Sequence, residues 1–599
     1  MTYSTPRHVL RVDLTEEAVT RERVPDRWVR RYLGGKGLGA RYLYEELDAG
    51  VDPLGPENVL AFLLGPLSGR LPGEPRYAAV TKSPLTGTFL DSYSGGPFPD
   101  VLTGALDGGL GVLVTGRADR PVFVEIADGT GTVEPAGDLW GADAVETDEA
   151  FPEAAVACIG PAGEHRVAYA TIASDAADHH AGRGGAGAVM GAKRLKAVVA
   201  RGDPPAELSE LRDAYETEFR DDATGRWLTA GATVESLDFA NEVGALATRG
   251  WRESQFDGAD DIGVESARTA AAGRERAEEA VPGDFRVEAD DEESVVRGGA
   301  PMTLGAGLGV DEFDAVAALG ATCDRLGMDV ISAGNAVAWT IRAAEAGVVD
   351  RDVAFGDVDA ARELIGEIAT RETVLADALA DGVDSAAEEL DGERATALIP
   401  TVKSMALPSY DPRAALGMAL AYATSDRGGC HRRARPIEQE AFDGDDWSDA
   451  RRVCEVIAAQ NARSVLWSLV VDDFAGETFR GDLGAEWLET VDHPVDTGSL
   501  AEVGERIWTL VRLFNAREGF TRDDDELPPL LREPVANGPQ AGSAVDPERF
   551  ERLLDLYYAA RGWGPNGLPT AETVARLDLT ATVDGETPID SEPTEVENG

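Results

Sequence analysis

Cysteine is scarce in this chain of 599 residues. The four cysteines, Cys158, Cys323, Cys430 and Cys454, are widely spaced and form no Cys-x-x-Cys pair. This spacing excludes a disulfide framework and an ordinary structural zinc finger. Long apolar runs are missing as well, because no stretch approaches the roughly 20 residues that span a bilayer. The N-terminus also lacks the apolar core of a secretory signal. We therefore expect a cytoplasmic protein without a membrane partner.

Positively charged residues are scarce as well. The chain has 109 acidic against 55 basic residues, a formal net charge of −54, and lysine occurs only at positions 36, 82, 193, 196 and 403. An acidic, lysine-poor surface keeps a protein dissolved when molar salt shortens the Debye length to about 3 Å. The composition predicts a high-salt cytoplasm, as in a halophilic archaeon. It argues against nucleic acid or an anionic membrane as partner.

The length predicts several domains. Short apolar, β-branched runs between turn residues predict a sheet-rich domain over 1–203. Helical periodicity follows, which predicts helical domains over 204–405 and 406–578 and an α+β fold. Within this part, the acidic segment 252–300 has weak periodicity and predicts a surface excursion. The last residues, 579–599, are acidic and poor in aromatics, which predicts a disordered tail. No internal repeat is apparent.

One segment gathers glycine and positive charge: "DHHAGRGGAGAVMGAKRLKAVV", residues 178–199. Glycine turns that lead into a helix can bind phosphate through backbone N–H groups. A Walker A loop is excluded, because Ala192 separates Gly191 from Lys193. A tight turn without a ligand explains the glycines equally well. Further glycine-rich turns in 30–47 and 75–102 favour several anion-accepting turns around one large polyanionic ligand.

Several phrases follow one another in a recognisable order. They are "YLGGKGLGARYLYEEL", "RYAAVTKSPLTG", "DSYSGGPF", "AGRGGAGAVMGAKRLKAVVARG", "CDRLGMDVISAGNAVAWTI", "SYDPRAALGMALAYATSDRGGCH" and "LYYAARGWGPNGLPT". In this order the chain resembles the aldehyde ferredoxin oxidoreductase family, tungsten enzymes with two pyranopterin-dithiolene cofactors. The resemblance implies a sheet-rich base that cradles the pterins and two helical domains that close over them. It also implies oxidation of a small aldehyde to a carboxylic acid at a tungsten (or molybdenum) bis-pterin centre, ferredoxin as electron acceptor, and a possible homodimer.

The resemblance also implies roles for individual residues. The arginine of "RYAAVTKSPLTG" lies between the two pterins, and the "AGRGG" turn supplies backbone groups to the phosphates and to a bridging Mg²⁺. The residues implied to contact the phosphates are Arg76, Gly95, Gly96, Ala181, Gly182, Arg183, Gly184 and Gly185.

A second group of residues is implied to serve the pterin ring and the reaction. In the D-x-x-G-x-D segment, formed by Asp324, Gly327 and Asp329, carboxylates accept the N–H groups of the ring. His431, in "RGGCH", lies near the metal and is the candidate for proton transfer. The pterin sulfurs bind the metal in this family, so no side chain is expected as a tungsten ligand.

The chain departs from the family pattern at the iron–sulfur cluster. Family members hold a [4Fe–4S] cluster with a C-x-x-C-x-x-x-C run, which would fall near 276–291, and with a later cysteine that closes a DSLGLC-like segment. That segment aligns with "WSLVVD", where Asp472 replaces the thiolate, Trp467 the pterin-binding acid and Val470 the glycine. Cluster iron needs thiolates. The sequence predicts no cluster, which puts ferredoxin in doubt as a partner.

Two further positions differ. Met302 stands where an acid is expected near the metal, and Tyr93 replaces an asparagine whose backbone oxygen helps to hold Mg²⁺. Three hypotheses stay open: an aldehyde oxidoreductase with an altered electron exit, a non-catalytic pterin-binding or scaffold paralogue that pairs with an active subunit, and a pterin enzyme with non-redox or direct-acceptor chemistry.

Overall fold

The computed structural model describes residues 7–71, 73–204, 231–274, 285–290, 292–472, 482–491 and 500–595, together with isolated positions in 214–226 and position 493. Contacts divide the chain into two compact units. Unit 1 contains 1–227, 324–328 and 461–518, and unit 2 contains 228–323, 329–460 and 519–599.

Twelve strands form the two sheets of unit 1. They are β1 (His8–Asp13), β2 (Ala18–Arg23), β3 (Leu60–Leu63), β4 (Tyr77–Lys82), β5 (Phe89–Ser94), β6 (Gly111–Thr115), β7 (Val122–Ala127), β8 (Thr130–Pro135), β9 (Ala155–Cys158), β10 (Ile172–Ser174), β11 (His179–Ala181) and β12 (Leu195–Arg201). The first sheet has the order β2-β1-β6-β3-β4-β5, and the second has the order β11-β10-β9-β12-β7-β8. Valine, leucine and isoleucine side chains from both sheets share one buried core.

The two sheets repeat one topology. In the first, β1 pairs antiparallel with β2 and parallel with β6, and β3, β4 and β5 continue antiparallel from β6. In the second, β7 pairs antiparallel with β8 and parallel with β12, and β9, β10 and β11 continue antiparallel from β12. Each strand of the first sheet therefore has a counterpart in the second, and the counterpart's number is higher by six. No repeat is visible in the sequence, because the two sheets share their strand order and pairing but not their residues.

The helices follow the chain through both units. They are α1 (Asp26–Tyr32), α2 (Gly35–Glu46), α3 (Phe98–Ala105), α4 (Ala144–Glu149), α5 (Pro161–Glu164), α6 (Ala186–Ala192), α7 (Glu235–Glu242), α8 (Ala259–Ile262), α9 (Val264–Ala271), α10 (Phe313–Leu326), α11 (Val330–Glu345), α12 (Val358–Thr370), α13 (Val374–Ala380), α14 (Val383–Thr396), α15 (Leu416–Ala423), α16 (Ile437–Asp443), α17 (Asp449–Leu469), α18 (Ala485–Thr490), α19 (Leu500–Arg517), α20 (Pro547–Arg561) and α21 (Ala571–Arg576). Unit 2 is mainly helical and adds the hairpins β13 (Phe285–Ala289) with β14 (Glu292–Val296) and β15 (Thr401–Val402) with β16 (Met405–Ala406). The predicted α+β class, with a sheet-rich N-terminal part and helices after it, is confirmed.

Two predictions about irregular segments are wrong. Residues 252–300 do not form a mere surface excursion, because α9 and the β13–β14 hairpin pack a small core around Val264, Phe285 and Val287. Residues 275–284 of that segment lie outside the described part of the chain.

The predicted disordered tail is ordered over 579–595. Asp590 is buried there and accepts hydrogen bonds from the Asn566 backbone N–H and amide, while Thr594 Oγ1 donates to the Trp563 carbonyl. Polar side chains thus hold the segment where apolar ones are few. Residues 596–599 are outside the described chain.

The bounds predicted for the domains do not coincide with the units. Unit 1 extends to residue 227 and also takes in 324–328 and 461–518, whose helix α19 contacts β5 of the first sheet. Among the described residues, no helix combines the length and the apolar character needed to cross a membrane.

A buried lysine makes the stability of unit 1 depend on pH. Lys193 is 1% exposed, its Nζ donates to the Pro56 and Gly116 carbonyls at 3.2 Å each, and burial lowers its pKa from 10.5 to about 7. Above pH 7 the folded chain has released this proton while the unfolded chain still holds it. The contribution of Lys193 to the free energy of unfolding should therefore rise with pH from 7 towards 10.5.

We expect Lys193→Met to flatten that rise. The measurement is urea unfolding in molar KCl at several pH values above neutrality, for the wild type and the variant. The variant should also be less stable by about 1–3 kcal/mol at neutral pH, because the Pro56 and Gly116 carbonyls lose their hydrogen-bond donor. Equal slopes in the two proteins would contradict a titrating Lys193.

Candidate functional site

The glycine-rich turn after β11 lies where two strands and a helix meet. Arg183, Gly184 and Gly185 all have left-handed backbone, with φ of 64°, 77° and 83°, and α6 begins directly after them. Two serines fix the turn: Ser83 Oγ donates to the Gly184 carbonyl at 2.7 Å, and Ser92 Oγ donates to that of Gly182. Close packing explains part of the glycine content, because a Cβ on Gly185 would lie 2.1 Å from the Ala168 carbonyl oxygen.

Asp324 and Gly327 lie at the end of α10, in unit 1. Gly327 has a φ of +71°, and its N–H donates to the Asp324 carbonyl at 3.1 Å, so it ends the helix. The Asp324 carboxylate is 23% exposed, and its Oδ1 lies 3.4 Å from Nε2 of His180, on β11. We call the 181–185 turn, His180 and the segment 324–328 half-site A.

The counterpart of half-site A lies on the first sheet. It consists of the Gly95–Gly96 turn after β5, Tyr93, and the segment Trp467–Asp472 at the end of α17. Val470, immediately after this helix, has a φ of +59°, although left-handed backbone costs a residue with a Cβ roughly 1–2 kcal/mol. Trp467 is 1% exposed, and its ring stacks on that of Tyr93 with centroids 5.3 Å apart. We call this set half-site B.

Arg76 belongs to a chain of charged side chains beside half-site B. Its Nε donates to Asp472 Oδ1 at 2.8 Å, and its Nη2 lies 2.5 Å from Glu74 Oε2. Glu74 Oε1 in turn lies 2.6 Å from His179 Nε2, and His179 Nδ1 lies 3.7 Å from Asp175 Oδ2. We call these five residues the Arg76 network. The carboxylates of Glu74 and Asp472 neutralise the Arg76 guanidinium within the protein itself.

The glycine pair of half-site B faces this network. A Cβ on Gly95 would lie 2.3 Å from Glu74 Cδ, and a Cβ on Gly96 would lie 2.1 Å from Asp175 Oδ2. Burial, with Asp148, Asp178 and Glu74 nearby, raises the pKa of Asp175 well above its usual value, which favours its neutral form. The turn that the resemblance assigns to a phosphate is therefore covered by two carboxyl groups of the chain.

A buried ion pair, Lys36 with Asp91, contacts Tyr93 and Trp467 of half-site B. Lys36 Nζ lies 3.2 Å from Asp91 Oδ1, and both side chains are fully buried. Tyr93 Oη donates to the other oxygen, Asp91 Oδ2, at 2.6 Å. The ammonium also lies over the rings of Phe89, Trp467 and Trp508, at 5.2–5.8 Å. Lysine is thus retained here as a core residue.

The remaining predicted residues lie in unit 2. Asp329 caps the N-terminus of α11, where its Oδ2 accepts from Ser332 N at 2.8 Å and Ser332 Oγ at 2.6 Å. His431 is half-buried, and its ring lies 5.8 Å from that of Tyr410. Arg427 Nη2 donates to Cys430 Sγ at 3.0 Å, directly before His431.

The described ranges contain no group of three or more His, Cys, Asp or Glu residues that could hold a metal ion. Cys158, Cys323 and Cys430 are buried and Cys454 is exposed, and none of the four is in a disulfide.

Sequence reasoning identified both turns, Arg76, Asp324 and Gly327, and the structure brings these together within unit 1. It missed Glu74, Asp175 and His179. The only sequence signals for them were the acid two residues before Arg76 and the adjacent histidines of "DHHAGRGG".

Comparison with known proteins agrees with this architecture. The profile of the aldehyde ferredoxin oxidoreductase N-terminal domain matches residues 9–202, and that of domains 2 and 3 matches 210–579. The chain therefore belongs to the aldehyde ferredoxin oxidoreductase family.

The relatives indicate the chemistry of the family. A tungsten-containing aldehyde ferredoxin oxidoreductase of Pyrococcus abyssi is 33% identical, over 95% of this chain and 98% of the relative. An aliphatic sulfonate oxidoreductase, WOR-like subunit, of Pyrococcus furiosus is 27% identical over 95% and 96%. Both relatives are oxidoreductases, and the first contains tungsten.

A solved structure shares the fold. The active-site complex BamBC of benzoyl coenzyme A reductase, in complex with 1,5-dienoyl-CoA, superposes with a TM-score of 0.79 over 98% of both chains at 22% identity.

Half-sites A and B differ in their fit to a pterin. The ring presents N–H donors, and half-site A offers the partly exposed Asp324 carboxylate beside a turn that carries Arg183. In half-site B the corresponding position holds Trp467, whose indole is a donor only. A pterin therefore fits half-site A and not half-site B.

Proposed function

We propose that this protein is an oxidoreductase of the aldehyde ferredoxin oxidoreductase type, which oxidises an aldehyde to a carboxylic acid at a tungsten (or molybdenum) pterin centre. Half-site A is the observation that carries the proposal, because Asp324, Gly327 and the 181–185 turn adjoin in one unit. The family membership of nearly the whole chain supports the same chemistry.

Individual residues have distinct proposed roles. The 181–185 turn, with Arg183, would hold a phosphate and its Mg²⁺, and Asp324 would accept from the pterin ring. The resemblance assigns Arg76, Gly95 and Gly96 to a second phosphate, but they lie against Glu74, Asp175 and Asp472 of the same chain, so no phosphate is proposed there. Asp329 is proposed as the second acid of the ring motif. When bound, the metal centre supplies the two-electron oxidation. His431 would take up or release the proton, a role that suits an imidazole near neutral pH.

The electron exit is proposed to differ from that of the family. Asp472, which stands for the last cluster thiolate, is engaged with Arg76, and a carboxylate paired in this way does not build a cluster of the family type. Water would supply the second oxygen of each carboxylic acid, with release of two protons and two electrons, and the electrons would pass directly to an external acceptor. Ferredoxin is then replaceable by a small redox carrier. A cytoplasm of high ionic strength remains the proposed setting, on the net charge of −54.

One observation favours a second candidate, a non-catalytic pterin-binding or scaffold paralogue that pairs with an active subunit. Glu74 and Asp472 neutralise Arg76, so this arginine needs no phosphate to balance its charge.

Metal content tests both candidates. The full chain is purified anaerobically in molar KCl from a tungstate-fed host that makes pterin enzymes, and tungsten, molybdenum and iron are quantified per chain by mass spectrometry. We expect one tungsten or molybdenum and no iron, together with aldehyde-dependent reduction of a viologen dye. Four irons per chain would contradict the cluster-free exit. Absence of metal and of dye reduction would favour the paralogue.

A further inference from the structure

The duplicated topology of unit 1 allows the two half-sites to be compared position by position. In the first sheet Ala78, the second residue of β4, pairs with Tyr93. In the second sheet Ala173, the second residue of β10, pairs with His180. Tyr93 and His180 therefore occupy equivalent positions on equivalent strands.

The two helix ends are equivalent as well. A Cβ on Gly65, two residues after β3, would lie 1.9 Å from the Leu469 carbonyl oxygen, and one on Gly160, two residues after β9, would lie 2.6 Å from that of Leu326. The next residue is left-handed in both, at Val470 and at Gly327. When the two helix ends are aligned at these residues, Trp467 occupies the position of Asp324.

Equivalent side chains contact each other in both half-sites, but their chemistry differs. In half-site A the pair is His180 and Asp324, an imidazole 3.4 Å from a carboxylate that is 23% exposed. In half-site B it is Tyr93 and Trp467, two rings stacked at 5.3 Å, with the tryptophan 1% exposed. Half-site A presents an acceptor at an accessible surface, whereas half-site B is filled by its own aromatic rings.

The charges at the two turns differ in the same direction. Glu74 and Asp175 cover Gly95 and Gly96, where a phosphate would meet carboxyl groups at contact distance. At Gly185 the nearest atoms to an added Cβ belong to the Ala168 backbone and the Pro84 ring. No carboxylate is among the three atoms nearest to that position, in contrast to Gly95 and Gly96.

We propose that this chain holds a single pterin, in half-site A, and that half-site B is closed permanently by the Trp467–Tyr93 stack and the Arg76 network. The inference rests on the proposed function in so far as a pterin is bound at all. The metal would then be held by one dithiolene in place of the family's two.

Counting pterins tests the inference independently of activity. The full chain from the tungstate-fed host is denatured and oxidised, and the fluorescent pterin product is quantified against protein, with tungsten measured on the same sample. We expect one pterin for each tungsten. Two pterins for each tungsten would overturn the single-site inference and leave the proposed function intact. A chain with neither pterin nor tungsten would overturn the proposed function itself.

Two variants locate the pterin. Asp324→Asn removes the charged acceptor of half-site A and should lower pterin retention about ten-fold or more. Trp467→Phe keeps an aromatic ring at the matching position of half-site B and should leave retention unchanged. Circular dichroism melting verifies that both variants fold. Loss of pterin in Trp467→Phe with retention in Asp324→Asn would place the cofactor in half-site B and overturn the inference.

Discussion

Replacing Lys36 by methionine is expected to lower the free energy of unfolding by about 3–5 kcal/mol. The Lys36 ammonium and the Asp91 carboxylate are both fully buried, and the substitution leaves that carboxylate in the core without its ammonium. The loss of contacts between the ammonium and the surrounding rings adds to the effect. Urea unfolding in molar KCl measures the change.

Two controls separate charge from packing. The double variant Lys36→Met, Asp91→Asn should recover part of the stability, because no buried charge is left unpaired. Arg23→Ala removes an exposed partner of Asp26 and should change stability by less than about 1 kcal/mol. A Lys36→Met protein as stable as the Arg23→Ala protein would show that the buried pair is dispensable.

Replacing His431 by glutamine should lower aldehyde-dependent turnover about 10²–10⁴-fold, with tungsten and pterin content unchanged. Glutamine keeps a polar side chain of similar length but does not titrate.

Tyr410 provides the matched control. Its ring lies beside His431, and burial raises the pKa of its hydroxyl to about 12, so it stays neutral at working pH. Tyr410→Phe keeps the ring and should change turnover only a few-fold. An equal loss in both variants would assign the effect to packing around His431 and remove the proton-transfer role.

Local features of the sequence predicted most of what surrounds half-site A. The "AGRGG" turn forms before a helix, as a run of glycines predicts, and Gly327 ends α10 with left-handed backbone. Both depend on interactions between neighbours in the chain. Asp329 forms a helix cap, another local feature.

The partners of Arg76 could not be predicted in the same way. Asp472 is 396 positions away in sequence, and nothing near either residue indicates that they meet. The alignment of "WSLVVD" with the cluster segment identified the replaced residues but not what they contact. The stack of Trp467 on Tyr93 is likewise a product of folding two distant segments together.

The predictions for the irregular segments were wrong for a different reason. Acidic composition predicts disorder over 579–599, yet the Asp590 carboxylate accepts hydrogen bonds from Asn566. In a chain of net charge −54, acidic residues are frequent in ordered segments as well. Composition therefore loses much of its value for this distinction.

The self-neutralised Arg76 network has a consequence for how the protein matures. A ligand stabilises a fold only through the sites that it occupies in the native state. Half-site B is balanced by Glu74 and Asp472 from the moment the chain folds, so its stability owes nothing to cofactor supply. The fold of half-site B therefore does not depend on cofactor insertion, which would act on half-site A alone.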